Sequence, residues 1–139
     1  MSRSTAGRAG AVDSAPSEVD WTEERVHTPR LVLRPWMPAD ASAVHAACAD
    51  PQAQRWLPLP SPYTVADAEH WVTEGGHLLR RAGNGLACAV VERSTGQLVG
   101  SAELRVHPTL RRCAEVGYWI APWARGRRYA AEAVDGLCR

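Results

Sequence analysis

The stretch AEVGYWIAPWARGRRYAAEA, residues 114–133, decides how this sequence is interpreted. Its first seven residues are typical of a β-strand, and Pro122, which has no backbone N–H, ends that strand. An Arg/Gly-rich segment follows and leads into a helix with one apolar face. The unpaired N–H groups and positive dipole end at such a helix start bind phosphate or pyrophosphate well. The stretch therefore predicts an anion site between a strand and a helix.

The distribution of charge agrees with a local anion site. The chain has 16 basic and 15 acidic residues and a net charge of +1, so no global field attracts a polyanion such as DNA. Between Arg105 and Arg128, however, six arginines stand against one acidic residue, Glu115. An alternative interpretation is an arginine-rich, solvated helix start. Every basic residue is arginine, which excludes a mechanism that uses a catalytic lysine.

Length and composition indicate one soluble domain. The 139 residues are 45% hydrophobic and 22% charged, with no apolar run of the roughly 18 residues that span a bilayer and no signal peptide. We therefore expect a cytoplasmic protein without membrane contact. The four cysteines are far apart and the five histidines are scattered, so we expect no metal. Residues 1–25, rich in Ser, Ala and Gly, are predicted to be a disordered tail.

The remaining sequence predicts an α/β (α+β) domain with the element order β-α-α-β-β-β-α. A strand at 31–34 precedes a helix at 39–48 and a second helix that starts at a capping box of Thr64 and Asp67. Two strands, 86–92 and 97–105, flank a turn at 94–96, and a third follows at 113–120. The expected sheet is mixed and mostly antiparallel, flanked by helices. Because the sequence ends inside the last helix, we expect a C-terminally truncated domain.

These motifs resemble the GNAT superfamily of acyl-CoA N-acyltransferases. The segment that starts at Arg125 is similar to motif A of that family, Arg/Gln-x-x-Gly-x-Gly/Ala, at the start of the helix after the fourth strand. The segments 28–35, 50–51, 56–58, 115–120 and 129–133 are similar to the branch that includes ribosomal-protein alanine N-acetyltransferases. The resemblance covers residues 27–139. It implies the N-terminal half of a GNAT fold, with residues 26–139 forming a partial acyl-CoA-binding domain without its C-terminal strands.

The resemblance also implies a cofactor and its contacts. Acetyl-CoA would serve as the co-substrate, without a metal, and its pantetheine arm would lie along the strand near Trp119 and Ile120. Its pyrophosphate would rest on backbone N–H groups at the following helix start. The residues of that start are Arg125, Gly126, Arg127, Arg128, Tyr129 and Ala130.

The family reaction is direct transfer of an acetyl group to an amine, which requires a general base and a general acid. Glu115 is the only carboxylate in the predicted fourth strand, 113–120, and is the candidate base. The alternative is an ion pair with Arg111 or Arg112. Glu103 is a second candidate, with a solvated strand residue as its alternative. Trp119 either lines the acceptor pocket or belongs to the core. The general acid of the family would lie beyond residue 139.

One departure from the family pattern concerns the cofactor. Arg128 stands where motif A has its central glycine, which lets the backbone approach the pyrophosphate. We expect weaker cofactor binding as a result. The expected function is acetyl transfer from acetyl-CoA to a primary amine, either a protein N-terminus or a small molecule. The alternatives are a non-catalytic acyl-CoA-binding or interaction module and, less consistent with the near-zero net charge, a nucleic-acid binder.

Overall fold

The computed structural model describes residues 21–57, 59–106 and 114–138. Five antiparallel strands form its sheet in sequence order, and their bounds are β1 Val26–His27, β2 Leu31–Arg34, β3 Gly85–Glu92, β4 Leu98–Val106 and β5 Ala114–Ile120. Five α-helices accompany them, with the bounds α1 Ala41–Cys48, α2 Pro51–Trp56, α3 Val65–Thr73, α4 Leu78–Arg81 and α5 Tyr129–Leu137. The predicted order is confirmed for its seven elements. Strand β1 and helix α2 are additions that the sequence analysis did not predict.

Local sequence explains where the helices begin. The carboxylate of Asp50 accepts hydrogen bonds from the N–H groups of Gln52 (3.1 Å) and Ala53 (3.2 Å), and Pro51 occupies the first turn of α2. The predicted capping box at α3 is confirmed, since the Thr64 hydroxyl accepts from the Asp67 N–H and the Asp67 carboxylate accepts from the Thr64 N–H. The predicted second helix is divided in two by a 3-10 turn at Gly75–His77.

The sheet separates two hydrophobic clusters. On one face Leu33, Val90 and Val99 pack with Tyr129, Ala133 and Leu137, so α5 covers this face. On the other face Trp36, Ala89 and Leu98 pack with Val44, Ala68 and Val72, which places α1 and α3 there. A buried ion pair lies beside the cluster with Trp36. Both terminal guanidinium nitrogens of Arg34 donate to the Asp40 carboxylate, at 2.8 and 2.9 Å.

Of the predicted tail, 1–25, residues 1–20 lie outside the described residues and residues 21–25 are described. Its last residues contact the domain: the buried guanidinium of Arg80 donates to the carbonyl oxygens of Trp21 (2.6 Å) and Glu24 (2.8 Å). None of the helices within the described ranges has the length and apolar character needed to cross a membrane.

Candidate active site

The turn between β5 and α5 has an unusual backbone. Gly126 has a φ of 84° and Arg128 a φ of 63°, so two residues of this turn adopt left-handed conformations. Glycine accepts such a φ without steric cost, whereas arginine does not. Arg128 is the N-cap residue of α5 and makes no side-chain capping hydrogen bond. The motif position where the family has glycine therefore keeps a glycine-like conformation although the residue is arginine.

Three exposed arginines surround this helix start. The Arg125 guanidinium lies 3.1 Å from Oε1 of Gln52 and 3.4 Å from the Asp50 carboxylate, which links the turn to the N-terminus of α2. A nitrogen of Arg127 lies 3.6 Å from the Glu92 carboxylate. Cations near a helix N-terminus are unfavourable without a compensating anion, and of these three arginines Arg128 alone forms no ion pair with the described residues. The arrangement therefore favours an anionic ligand at the predicted position.

The two remaining residues of the predicted cofactor turn are less exposed. Tyr129 is buried in the α5 cluster, and its hydroxyl donates to the carboxylate of Glu92. This hydrogen bond, followed by one from Thr95, lowers the pKa of Glu92 below its ordinary value. Ala130 is half-buried in the first turn of α5. The contribution of these two residues to a ligand would therefore come from their backbone N–H groups.

Strand β5 places the two predicted pantetheine residues, Trp119 and Ile120, on opposite faces of the sheet. Trp119 packs on the α1/α3 cluster, stacked 6.5 Å from Trp36, whereas Ile120 packs on the α5 cluster. Side chains two residues apart share a face, so Glu115 lies on the Trp119 face. Trp119 is thus half-buried against the core, and its part in an acceptor pocket stays a prediction.

Glu115 lies on an exposed part of the sheet among polar neighbours. Gly117 pairs with Glu103 on β4, and an added Cβ at Gly117 would have no atom within 4 Å. Glu103 is paired with Arg105 at 2.6 Å, and Arg105 is the cross-strand neighbour of Glu115. Glu115 is exposed and forms no ion pair with any of the residues that the structure describes. Its alternative partners, Arg111 and Arg112, lie outside the described residues.

An exposed carboxylate on this strand face attracts cations. The carboxylate of Glu103 is already neutralised by Arg105, whereas Glu115 is available to a ligand from the side of Trp119. Ile120 ends β5 next to the turn with the anion site, and Glu115 lies five strand positions earlier, about 17 Å along β5. A ligand that reaches both must therefore have an extended arm.

The buried cysteines are not candidate nucleophiles. Burial raises the pKa of the Cys88 thiol to about 11 despite the nearby Arg80, and it raises the pKa of Cys48 to about 11. Both thiols are therefore protonated at neutral pH. Cys138 is exposed, and Cys113 lies outside the described residues. Within the described ranges, no group of three His, Cys, Asp or Glu residues has a metal-binding arrangement.

Sequence reasoning missed the residues that hold the turn in place. Arg30 bonds the Glu132 carboxylate and the Arg127 carbonyl, and Asp50 and Gln52 hold Arg125. These partners are far apart in the chain, so no local sequence pattern predicts their contacts. The Asp-Pro pair that begins α2 was the available signal for Asp50, since it combines an N-cap residue with a first-turn proline.

Solved acetyltransferase structures have a similar fold. A candidate ribosomal-protein-serine acetyltransferase from Vibrio cholerae superposes with a TM-score of 0.72 at 23% identity, over 84% of this chain and 66% of that one. A ribosomal L7/L12 alpha-N-protein acetyltransferase in complex with coenzyme A gives 0.67 at 17% identity, over 83% and 66%. The Salmonella typhimurium acetyltransferase that modifies the N-terminal serine of L7/L12 gives 0.63 at 19%, over 82% and 65%.

The present chain thus spans slightly less than two thirds of the length of these solved structures. No curated protein matches it. The sequence profile of the acetyltransferase (GNAT) domain matches residues 30–139, which include β2, the complete β3–β5 sheet and the turn before α5. The chain therefore belongs to the GNAT family of acetyltransferases, whose members are acyl-CoA N-acyltransferases.

Proposed function

We propose that this protein transfers the acetyl group of acetyl-CoA to a primary amine. The observation that carries the proposal is the turn before α5, where two left-handed residues and three exposed arginines stand at an uncapped helix start in a GNAT domain. Its N–H groups and positive charge suit the pyrophosphate of acetyl-CoA. The residues proposed to contact acetyl-CoA remain Trp119 and Ile120 with 125–130.

The proposed mechanism is direct attack. The amine arrives as an ammonium group beside Gly117 on the exposed face of β5, where the Glu115 carboxylate accepts its proton directly or through a water molecule. The free amine nitrogen then attacks the thioester carbonyl carbon, so a C–N bond forms and the C–S bond breaks. The sulfur leaves as a thiolate and takes up the second proton, which the acetylated nitrogen loses, while Glu115 returns the first proton to solvent; the products are coenzyme A and an N-acetylated amine.

The acceptor that we propose is the α-amino group of a protein N-terminus. Two structural neighbours support this choice, since they are acetyltransferases of the ribosomal protein L7/L12. The exposed face of β5 adds support, because an open strand face whose carboxylate forms no ion pair with the described residues suits the cationic end of a flexible chain. A small-molecule amine is the competing acceptor.

The test uses the full 139-residue chain with acetyl-CoA and three acceptors: a peptide with a free α-amino group, the same peptide with a blocked N-terminus, and a polyamine. Release of the coenzyme A thiol and the mass of the acceptor are followed together. We expect acetylation of the free peptide alone. Acetylation of the polyamine alone would assign a small-molecule acceptor, whereas saturable acetyl-CoA binding without any thiol release would indicate a binding module instead of an enzyme.

A further inference from the structure

Arg30, just before β2, contacts the turn and the first part of α5 at three places. Its Nε lies 2.7 Å from Oε1 of Glu132, and a terminal nitrogen donates to the carbonyl oxygen of Arg127 at 2.9 Å. Its guanidinium carbon lies 4.5 Å from the centre of the Tyr129 ring. One planar side chain therefore joins residues 127, 129 and 132, a combination that the five-donor fork of arginine allows.

The contact with the Arg127 carbonyl controls the orientation of a neighbouring N–H group. In a trans peptide, the C=O of one residue and the N–H of the next point in opposite directions within one plane. By holding the carbonyl of Arg127, the guanidinium of Arg30 directs the N–H of Arg128 away from itself. That N–H belongs to the set proposed to accept the pyrophosphate.

The turn needs such a restraint because its backbone is strained. Arg127 lies between two residues with positive φ, Gly126 and Arg128. Arg128 is not a glycine, and a non-glycine residue with positive φ persists only when its surroundings hold it. Without Arg30, rotation of the peptide between Arg127 and Arg128 would release the strain and turn the N–H away from its ligand.

Arg30 is itself held from the opposite side. Oε2 of Glu132 accepts from the backbone N–H of Arg30 at 2.8 Å and from the hydroxyl of Thr28. Burial alone would raise the pKa of Glu132, but the hydrogen bonds from Thr28 and Arg30 outweigh it and hold this pKa below the ordinary value. The Glu132 carboxylate is thus charged at neutral pH and fixes the fork of Arg30.

We propose that Arg30 is a positioning residue for acetyl-CoA: it fixes the peptide between Arg127 and Arg128 so that the N–H of Arg128 faces the pyrophosphate. This inference rests on the proposed function. Arg30 is 46% exposed in its side chain, so its ion pair contributes little to global stability. Its main effect is therefore expected in ligand affinity.

The chain contains a matched control. Arg93 donates to the carbonyl oxygen of Thr28 at 2.8 Å, so it holds the same segment without touching the turn. If Arg30 were only an attachment of this segment to the sheet, Arg30→Ala and Arg93→Ala would behave alike. If Arg30 positions the turn, the two variants differ in ligand binding.

The experiment compares the full chain with Arg30→Ala, Arg30→Lys and Arg93→Ala. Calorimetry gives the affinity for coenzyme A, and steady-state kinetics give KM for acetyl-CoA, KM for the acceptor and kcat. Amide ¹⁵N relaxation of the ligand-free proteins reports on backbone motion at residues 127–130 and supplies a readout that does not need the ligand. Thermal unfolding identifies a variant that fails to fold.

We expect Arg30→Ala to weaken coenzyme A binding roughly tenfold, the effect of about one well-placed hydrogen bond. KM for acetyl-CoA should rise while KM for the acceptor stays constant, and backbone motion at 127–130 should increase. Arg30→Lys keeps the charge beside Glu132 but lacks the planar fork, so it should match the stability of the unaltered chain and recover little of the affinity. Arg93→Ala should bind like the unaltered chain.

Two results would overturn the inference. Equal affinities of the unaltered chain and Arg30→Ala would show that the contact does not position the turn, and equal losses in Arg30→Ala and Arg93→Ala would show a general structural effect. Failure of the unaltered chain to bind coenzyme A would instead overturn the proposed function, which the inference needs.

Discussion

Replacing Arg128 by glycine should stabilise the protein. Arg128 is the N-cap residue of α5 and has a φ of 63°, a conformation that costs a non-glycine residue about 1–2 kcal/mol. Its positive charge beside the helix N-terminus adds an unfavourable interaction of about 0.3–1 kcal/mol. Glycine removes both effects, but it also lowers the free energy of unfolding by roughly 0.5–1 kcal/mol because it has more conformational freedom in the unfolded chain. The expected net gain is about 1 kcal/mol.

The assay is urea unfolding followed by tryptophan fluorescence, in a buffer without phosphate or sulfate so that no anion occupies the turn. Arg127→Gly is the matched control, because Arg127 is the adjacent residue and does not have a positive φ. Its replacement should lower the free energy of unfolding, since it adds the entropy cost of glycine, roughly 0.5–1 kcal/mol, and removes the ion pair with Glu92 without relieving a positive φ. If Arg128→Gly were no more stable than the unaltered chain, the argument from backbone strain would be refuted.

Three further predictions concern charged side chains. Arg34→Ala should lower the free energy of unfolding by about 3–5 kcal/mol because it leaves the Asp40 carboxylate buried without its cation, whereas Arg81→Ala, which removes an exposed ion pair, should cost less than about 1 kcal/mol in the same denaturant titration. The depressed pKa of Glu132 stabilises the folded state above the ordinary glutamate pKa of about 4.3, so the stability difference between the unaltered chain and Glu132→Gln should be constant at neutral pH and shrink as pH falls below this value; a difference independent of pH would contradict the assignment. Glu115→Gln should lower kcat roughly 10²–10⁴-fold without changing coenzyme A affinity, as expected for a general base, and an unchanged kcat would remove Glu115 from that role.

The sequence predicts most of this fold because its elements carry local signals. Strands β3 and β4 were recognisable from apolar residues around a Ser-Thr-Gly turn, and α3 from the reciprocal hydrogen bonding of Thr64 and Asp67. Strand β1 escaped prediction because two residues are too short for a periodic pattern. Helix α2 escaped because Asp50 and Pro51, which follow the predicted helix 39–48, are residues that commonly end a helix, although here they begin the next one.

The candidate site was predictable to a smaller extent. The arginines and the helix start before α5 lie in one continuous stretch, so their proximity follows from the chain itself. The neighbours of Glu115 could be predicted only with the strand register, which pairs Gly117 with Glu103. The contacts of Arg30 with Glu132 connect residues 102 positions apart, and only the packing of α5 on the sheet brings them together.

The central claim is that the turn before α5 binds the pyrophosphate of acetyl-CoA through its backbone N–H groups. The most direct test is a titration of the ¹⁵N-labelled chain with acetyl-CoA, followed by the amide resonances of residues 125–130, with pantetheine as the control ligand that lacks the pyrophosphate. The account predicts saturable shifts at these amides with acetyl-CoA and none with pantetheine. Saturation that leaves these resonances unmoved, or the same shifts with pantetheine, would contradict it.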